Sequence, residues 1–166
     1  MKKSNNQIAD ILVKTMGYEI TGVGDLENGL TVVRDYGTSL GLDMTQWTLV
    51  DGSGLSVKNK VSSKQMALLL YNVQDEPYYK IFYKGLIVGG HPNKFNAGAL
   101  YNRFKSPGMR YKVVGKTGSI FGVYTLSGYV KGNKTGNTYI FSLLTDKNTG
   151  SIGQIDNVIE HIISNY

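Results

Sequence analysis

Between Tyr111 and Tyr129 the chain reads YKVVGKTGSIFGVYTLSGY, and this stretch constrains the fold more than any other. It opens as a strand: Val113 and Val114 are β-branched, and Ser106-Pro107-Gly108 stops any earlier helix. At Gly115-Lys116-Thr117-Gly118 one cation and one hydroxyl interrupt the apolar pattern between two glycines. Glycines in a strand give up packing and let a ligand backbone come close. A lysine offers charge to a carboxylate, a threonine offers an oriented hydroxyl, and the N–H groups that follow can bind a developing oxyanion. Lys-Thr-Gly alone is equally compatible with an edge strand and its turn.

The same tripeptide recurs at Lys134-Thr135-Gly136, inside the polar cluster Gly132 to Asn137 between two apolar runs. That composition reads as a hairpin loop, and no chemistry is assigned to it. A phosphate-binding loop is excluded at Gly115-Lys116-Thr117, because that motif needs a glycine five positions earlier, where Arg110 stands.

Helices dominate the chain before this stretch. Residues 4 to 17 carry Ile8, Ile11, Leu12 and Met16 at helical spacing, with Asn5 or Asn6 as N-cap and Gly17 as the stop. A second amphipathic segment runs from Asp25 to Leu40 through Leu26, Leu30 and Val33. Trp47 to Val50 reads as a short strand leading into the turn-rich Asp51-Gly52-Ser53-Gly54-Leu55-Ser56. Ser62 and Gln65 form a capping box ahead of Met66, Leu69, Leu70 and Val73. Pro77 starts a helix over Tyr78 to Lys84, Gly89 to Asn93 form a loop, and Ala97 to Phe104 read as a short helix. Residues 124–131 and 138–145 read as two further strands, followed by a helix capped by Ser151 and Gln154 with Ile155, Ile159, Ile162 and Ile163 as its buried stripe. The expectation is a single α+β domain over 1–166, mainly helical to about 105, then an antiparallel sheet with a packed C-terminal helix from about 109.

Composition excludes several classes. The 41% hydrophobic and 18% charged residues are those of a globular chain, and no apolar run approaches the roughly 20 residues that span a bilayer. Met1-Lys2-Lys3 is followed by Ser-Asn-Asn, so no signal peptide is visible. The net charge of +6 would suit an anionic partner, yet the lysines form no run, which favours a solvated surface over a nucleic-acid site. Only His91 and His161 are histidines and cysteine is absent, so no zinc site is expected. His161 reads as a surface residue, and His91 sits in a Gly/Pro loop within reach of a ligand. Asp51-Gly52-Ser53-Gly54 lacks the first glycine of a nucleophile elbow and reads as a turn.

Ser4-Asn5-Asn6 is the counterpart of the KTG. Residues two apart share a side only in extended or turn conformation, so Ser4 and Asn6 can act together only just before the helix, where caps belong.

Serine-x-asparagine, Val-Asp-Gly-Ser-Gly-Leu-Ser and Lys-Thr-Gly occur here in one order. In order and spacing they resemble the C-terminal part of the D-alanyl-D-alanine carboxypeptidase/endopeptidases with a large insertion, the class C low-molecular-mass penicillin-binding proteins. The resemblance covers nearly the whole chain. It implies that Ser4 helps relay a proton to the leaving amine and that Asn6 holds the substrate amide. It implies that Lys116 supplies positive potential, that Thr117 binds the terminal carboxylate of D-Ala-D-Ala, and that Gly118 and Ser119 line the substrate, with the Ser119 N–H as an oxyanion donor. It also implies an extracytoplasmic or periplasmic site, peptidoglycan stem peptides and β-lactams as partners, no nucleic acid, and no cofactor or metal.

One feature of that family is missing. Its nucleophile lies in an S-x-x-K motif, and no serine here has a lysine three residues on. The chain therefore reads as a fragment that begins after that motif, inactive alone and open to self-association through uncovered apolar surface. The alternative is a non-catalytic peptidoglycan- or partner-binding domain.

Overall fold

The computed structural model describes residues 1–146 and 148–166. They gather into two compact units, Ser4–Val73 on one hand and Met1–Lys3 with Gln74–Tyr166 on the other.

The first unit is helical. Helix α1 (Asn6–Thr21) starts where the Asn5 side chain accepts a hydrogen bond from the Ile8 N–H at 2.9 Å. It ends at Gly22, whose φ of 78° makes it a left-handed C-cap. Gly17, expected as the stop, is instead buried inside the helix. It serves the contact with α2 (Leu26–Ser39), which Asp25 caps by accepting from the Asn28 N–H at 2.8 Å. The buried face of α1 also departs from expectation. Val13 and Gly17 are buried, whereas Ile8, Ile11 and Leu12 are 56%, 60% and 57% exposed. Spacing identifies an apolar face, but the glycine contact decides which face the neighbouring helix covers.

The expected strand at Trp47 to Val50 reduces to one antiparallel bridge, Thr48 to Lys60. Trp47 ends a 3-10 turn (Met44–Gln46), and the Val50 N–H donates to the Asn59 side chain at 2.8 Å, so the ladder has no backbone left to extend along. Helix α3 (Ser63–Asn72) is capped by Ser62, which accepts from the Gln65 N–H at 3.2 Å. Gln65 itself is buried, and its Oε1 accepts from the Trp47 indole at 3.4 Å. Leu30, Leu40, Leu42, Leu70 and Val73 supply the buried apolar residues of this unit with Val13.

The second unit is built on a four-stranded antiparallel sheet in the order β1-β2-β3-β4. Strand β2 (Val113–Ile120) pairs along its length with β3 (Val123–Lys131), and β3 with β4 (Thr138–Asp146). Phe121 and Gly122, with φ of 45° and 83°, form the two-residue turn between β2 and β3. The short β1 (Ile87–Val88) follows α4 (Tyr79–Gly85) and was not anticipated. The helix expected over Ala97 to Phe104 is absent. In its place stand α5 (Lys94–Ala97) and a 3-10 turn (Gly98–Leu100), because Gly98 leaves the helical region at φ 50°. Leu100 and Phe104 are nevertheless core residues. They join Val113, Leu126, Val130 and Phe141 of the sheet against Ile155, Ile159 and Ile163 of α6 (Ile152–Asn165). Among the described residues no helix is long and apolar enough to cross a membrane.

Candidate active site

The edge of β2 is where the geometry becomes chemical. Strand β1 pairs with β2 only at Ile87 to Gly115 and Val88 to Val114. Gly89 and Gly90 then turn the chain away, the second with a φ of 68°. From Lys116 to Ile120 the outer edge of β2 has no strand partner among the described residues. The Gly89 N–H donates to the Val113 carbonyl at 2.9 Å, so Val113 turns its backbone groups outward. In an antiparallel ladder alternate residues point theirs the same way, which places the N–H and C=O of Thr117 and Ser119 on the open edge. Here a peptide could add as a strand.

Side chains alternate across the sheet. Thr117 stands opposite Leu126, on the face that α6 covers, and Lys116 stands opposite Ser127, on the face of Tyr129. The lysine nevertheless reaches the edge. Its stem curves round the strand so that Nζ donates to the Thr117 carbonyl at 2.6 Å. Partial burial holds its pKa below the usual lysine range, since the ammonium loses part of its solvation. On that face Tyr129 is buried against Tyr79 and Tyr83, with ring centroids 6.0 and 5.4 Å away. Burial, and then the neighbouring Tyr79, push its hydroxyl pKa upward.

The glycines of the motif serve the sheet itself. Gly115 is paired with Gly128, and a Cβ on Gly115 would stand 2.6 Å from the Ser127 carbonyl oxygen. A Cβ on Gly118 would stand 2.6 Å from the Thr125 hydroxyl. Both are close approaches to β3, where the sequence suggested room for a ligand. Beneath the strand, Thr117, Ser119, Tyr124, Ala99 and Ile152 line a cavity of about 140 Å³. Arg103 also borders it, but its guanidinium is committed to Asp156, with Nε 2.9 and 3.0 Å from the two carboxylate oxygens.

Ser4 and Asn6 belong to the helical unit. Ser4 precedes α1 with a φ of 48°, in the left-handed region that non-glycine residues seldom occupy, and Asn6 is the first helical residue. Capping falls on Asn5, between them, so the cap reading applies to the middle of the S-x-N and not to its ends. The Asp51 loop packs behind this segment in the same unit. Asp51 accepts from the N–H groups of Gly54 and Ser56, both at 2.6 Å, and from the Asn59 amide at 2.9 Å. Burial raises its pKa, but these hydrogen bonds outweigh burial and hold it below the usual carboxylate range. Asp10 of α1 anchors the loop by accepting from the Gly52 N–H at 2.9 Å. Asp10 was not singled out in the sequence, because nothing local links it to a loop 42 residues away.

The remaining candidates are structural. Lys134-Thr135-Gly136 lies in the β3–β4 loop, where the Thr135 hydroxyl accepts from the Asn137 N–H and Gly136 adopts a φ of 71°. His91 accepts from the Asn93 N–H at 3.0 Å and meets the Tyr111 ring edge-on, while His161 is exposed on α6. Among the described residues no group of three or more His, Cys, Asp or Glu side chains could hold a metal ion.

Comparison with known proteins decides the family. The model of the D-Ala-D-Ala carboxypeptidase 3 (S13) family matches residues 1–164. The chain belongs to that family. It is 36% identical over 150 residues to a D-alanyl-D-alanine carboxypeptidase of an Actinomadura species, covering 90% of this chain and 28% of the relative. It is 29% identical over 154 residues to the D-alanyl-D-alanine carboxypeptidase DacB of Haemophilus influenzae, covering 92% of this chain and 31% of that protein. It thus spans less than a third of the length of either relative. The crystal structure of penicillin binding protein 4 from Haemophilus influenzae superposes with a TM-score of 0.78 at 28% identity, over 92% of this chain and 33% of that one. A second structure of that protein, complexed with a β-lactam, gives 0.79. The helices and antiparallel sheet described above are therefore the α+β fold of the penicillin-binding carboxypeptidases.

Proposed function

We propose that this chain supplies the S-x-N and KTG parts of the active site of a serine-type D-Ala-D-Ala carboxypeptidase/endopeptidase acting on peptidoglycan stem peptides. The observation that carries this reading is the unpaired edge of β2, with the Lys116 ammonium curved onto it and the backbone of Thr117 and Ser119 turned toward it. A stem peptide would lie along that edge as an added strand. Lys116 and Thr117 would take its terminal carboxylate, Gly118 would line the peptide between them and Ser119, and the Ser119 N–H would meet the oxyanion. Ser4 would pass a proton to the departing D-alanine, and Asn6 would hold the peptide amide. In this reading the two compact units are parts of one penicillin-binding domain working outside the cytoplasm, and the exposed α1 stripe lets the isolated chain self-associate.

Acyl-enzyme chemistry also needs a serine activated by a lysine, and the sequence holds no S-x-x-K. That gap favours a second reading, a non-catalytic domain that binds peptidoglycan or a partner with half a groove. The experiment is mass spectrometry after incubation with penicillin, alongside amide NMR during titration with a D-Ala-D-Ala peptide. We expect no mass gain, no released D-alanine, and weak shifts centred on residues 116–119. A stoichiometric mass gain on any serine would place the nucleophile within this chain. Peptide-induced shifts that spare β2 would sink the groove assignment.

A further inference from the structure

The charge of this protein is distributed with a bias that its lack of basic runs conceals. From Pro77 to Thr145 the sequence carries eight lysines and two arginines and not one aspartate or glutamate. The unit that contains this segment holds thirteen Lys and Arg against five acidic residues, while Ser4–Val73 holds five against seven.

The fold gathers these scattered cations. Lys94 and Lys105 both lie over the Tyr101 ring, 5.6 and 4.6 Å from its centroid. Arg110 donates from Nε to the Lys105 carbonyl at 2.9 Å. Lys131 donates its N–H to the Lys112 carbonyl at 2.8 Å, which sets these two side by side where the β2–β3 ladder begins. The Asn133 amide donates to the Gly108 carbonyl at 3.1 Å and draws the loop bearing Lys134 to the same end. Five of the six cations are exposed and Lys112 is half-buried. Among the described residues the ion pair is Arg103 with Asp156, so none of the six is in an ion pair with an acid.

Like charges held together without counter-charges oppose folding by mutual repulsion, and an external polyanion relieves it. Five of the six are lysines, compact point charges that bind phosphate without the bidentate geometry an arginine fork imposes. The six stand on α5, on the segment leading into β2, at the end of β3 and in the β3–β4 loop, so the fitting ligand is a chain of phosphates and not a single anion. Of the rings on this face, Tyr101 is engaged by the two lysines and Tyr111 meets His91 edge-on, while Phe95 beside Lys94 stays exposed, so stacking on a nucleic-acid strand is the rival that the test must separate.

We propose that this basic end docks a linear polyol-phosphate polymer of the cell wall and so holds the carboxypeptidase unit against its substrate layer. The choice of a wall polymer rests on the function proposed above; the anion-binding face does not.

The test is retention of the purified chain on immobilised poly(glycerol phosphate), with single-stranded DNA of equal charge as the second arm. Retention is expected at low salt, falling roughly hundredfold between about 50 and 200 mM salt if most of the six cations contact phosphate. The triple variant Lys105→Glu, Lys131→Glu, Lys134→Glu should lose it, and the milder Lys105→Gln, Lys131→Gln, Lys134→Gln variant should weaken it with an unchanged melting temperature. Lys58→Glu, Lys60→Glu, Lys64→Glu in the other unit should leave it intact, as should Lys116→Ala. Loss on Lys116→Ala alone would mean that the peptide groove was being read, and would overturn the proposal. Equal or tighter binding to DNA, or no retention at low salt, would also overturn it. Retention combined with an absence of D-Ala-D-Ala peptide binding would remove the wall-enzyme reading and leave the anion face standing.

Discussion

Gly17 of α1 and Gly29 of α2 meet where the two helices touch: a Cβ built on Gly17 would stand 2.7 Å from the Gly29 nitrogen. A Cβ on Gly29 would run into the Val13 carbonyl. Backbone cannot yield as a flexible side chain does, so overpacking here forces the helices apart. Gly29→Ala should lower stability by about 1–3 kcal/mol, although alanine is the better helix former by about 1 kcal/mol. Urea denaturation checks this. An unchanged or raised midpoint would mean that the contact is looser than described.

Two isoleucine stripes that read alike in sequence should behave oppositely. Ile159 and Ile163 are fully buried against the sheet, and Ile159→Ala should cost about 2–5 kcal/mol. Ile8 and Ile11 are more than half exposed, and Ile11→Gln should change stability by less than about 0.5 kcal/mol. The same substitution should shift sedimentation toward monomer if the α1 face is where copies of the chain associate. A wild-type chain that stays monomeric at high concentration would end that idea.

The difference between these stripes shows what was legible beforehand. Caps at Ser62, at Ser151 and at one of Asn5 and Asn6 depend on neighbours three residues away, and three strands joined by short connections could pair only as neighbours. The Gly17–Gly29 contact, the two-residue β1 and the gathering of Lys94, Lys105 and Lys131 join residues far apart in the chain, and no local pattern records them. Of the proposed site residues, the KTG and S-x-N were visible as types and order. That Lys116 curves onto an open edge was not, because the edge exists only where β1 stops.

Alkaline pH should expose the face shared by Lys116 and Tyr129. The Tyr129 hydroxyl has its pKa raised in the folded chain by burial, so its stabilising contribution is complete below the unfolded value near about 10 and is lost as pH rises above it. Lys116 has its pKa lowered, so its penalty on folding is present at low pH and is relieved as pH rises from its folded value to about 10.4. Tyr129→Phe should therefore lose less stability than wild type between about pH 9 and 11. Lys116→Met should lose more over the same approach to alkaline pH. Parallel urea midpoints for all three proteins would contradict both shifts.

Two lysines in identical tripeptides should differ in function. Lys116 sits on the open edge of β2 with its ammonium at the Thr117 carbonyl, whereas Lys134 lies in a hairpin loop whose threonine is occupied with the turn. In the proposed groove a carboxylate would meet Lys116 beside a strand edge where the lysine is itself partly buried, and a charge-assisted hydrogen bond gains strength there. At Lys134 the same attraction would be screened by solvent. In a polypeptide that joins this chain to an S-x-x-K serine, Lys116→Ala should slow acylation by penicillin roughly a hundredfold, the usual scale for removing one electrostatic partner of a reacting group. Lys134→Ala should leave the rate within about twofold, since exposed charges of this kind are worth under about 1 kcal/mol. Stopped-flow acylation with both variants measures the contrast directly. Equal losses would mean that the two lysines act only through the net charge of the unit, and the assignment of Lys116 to the groove would fall.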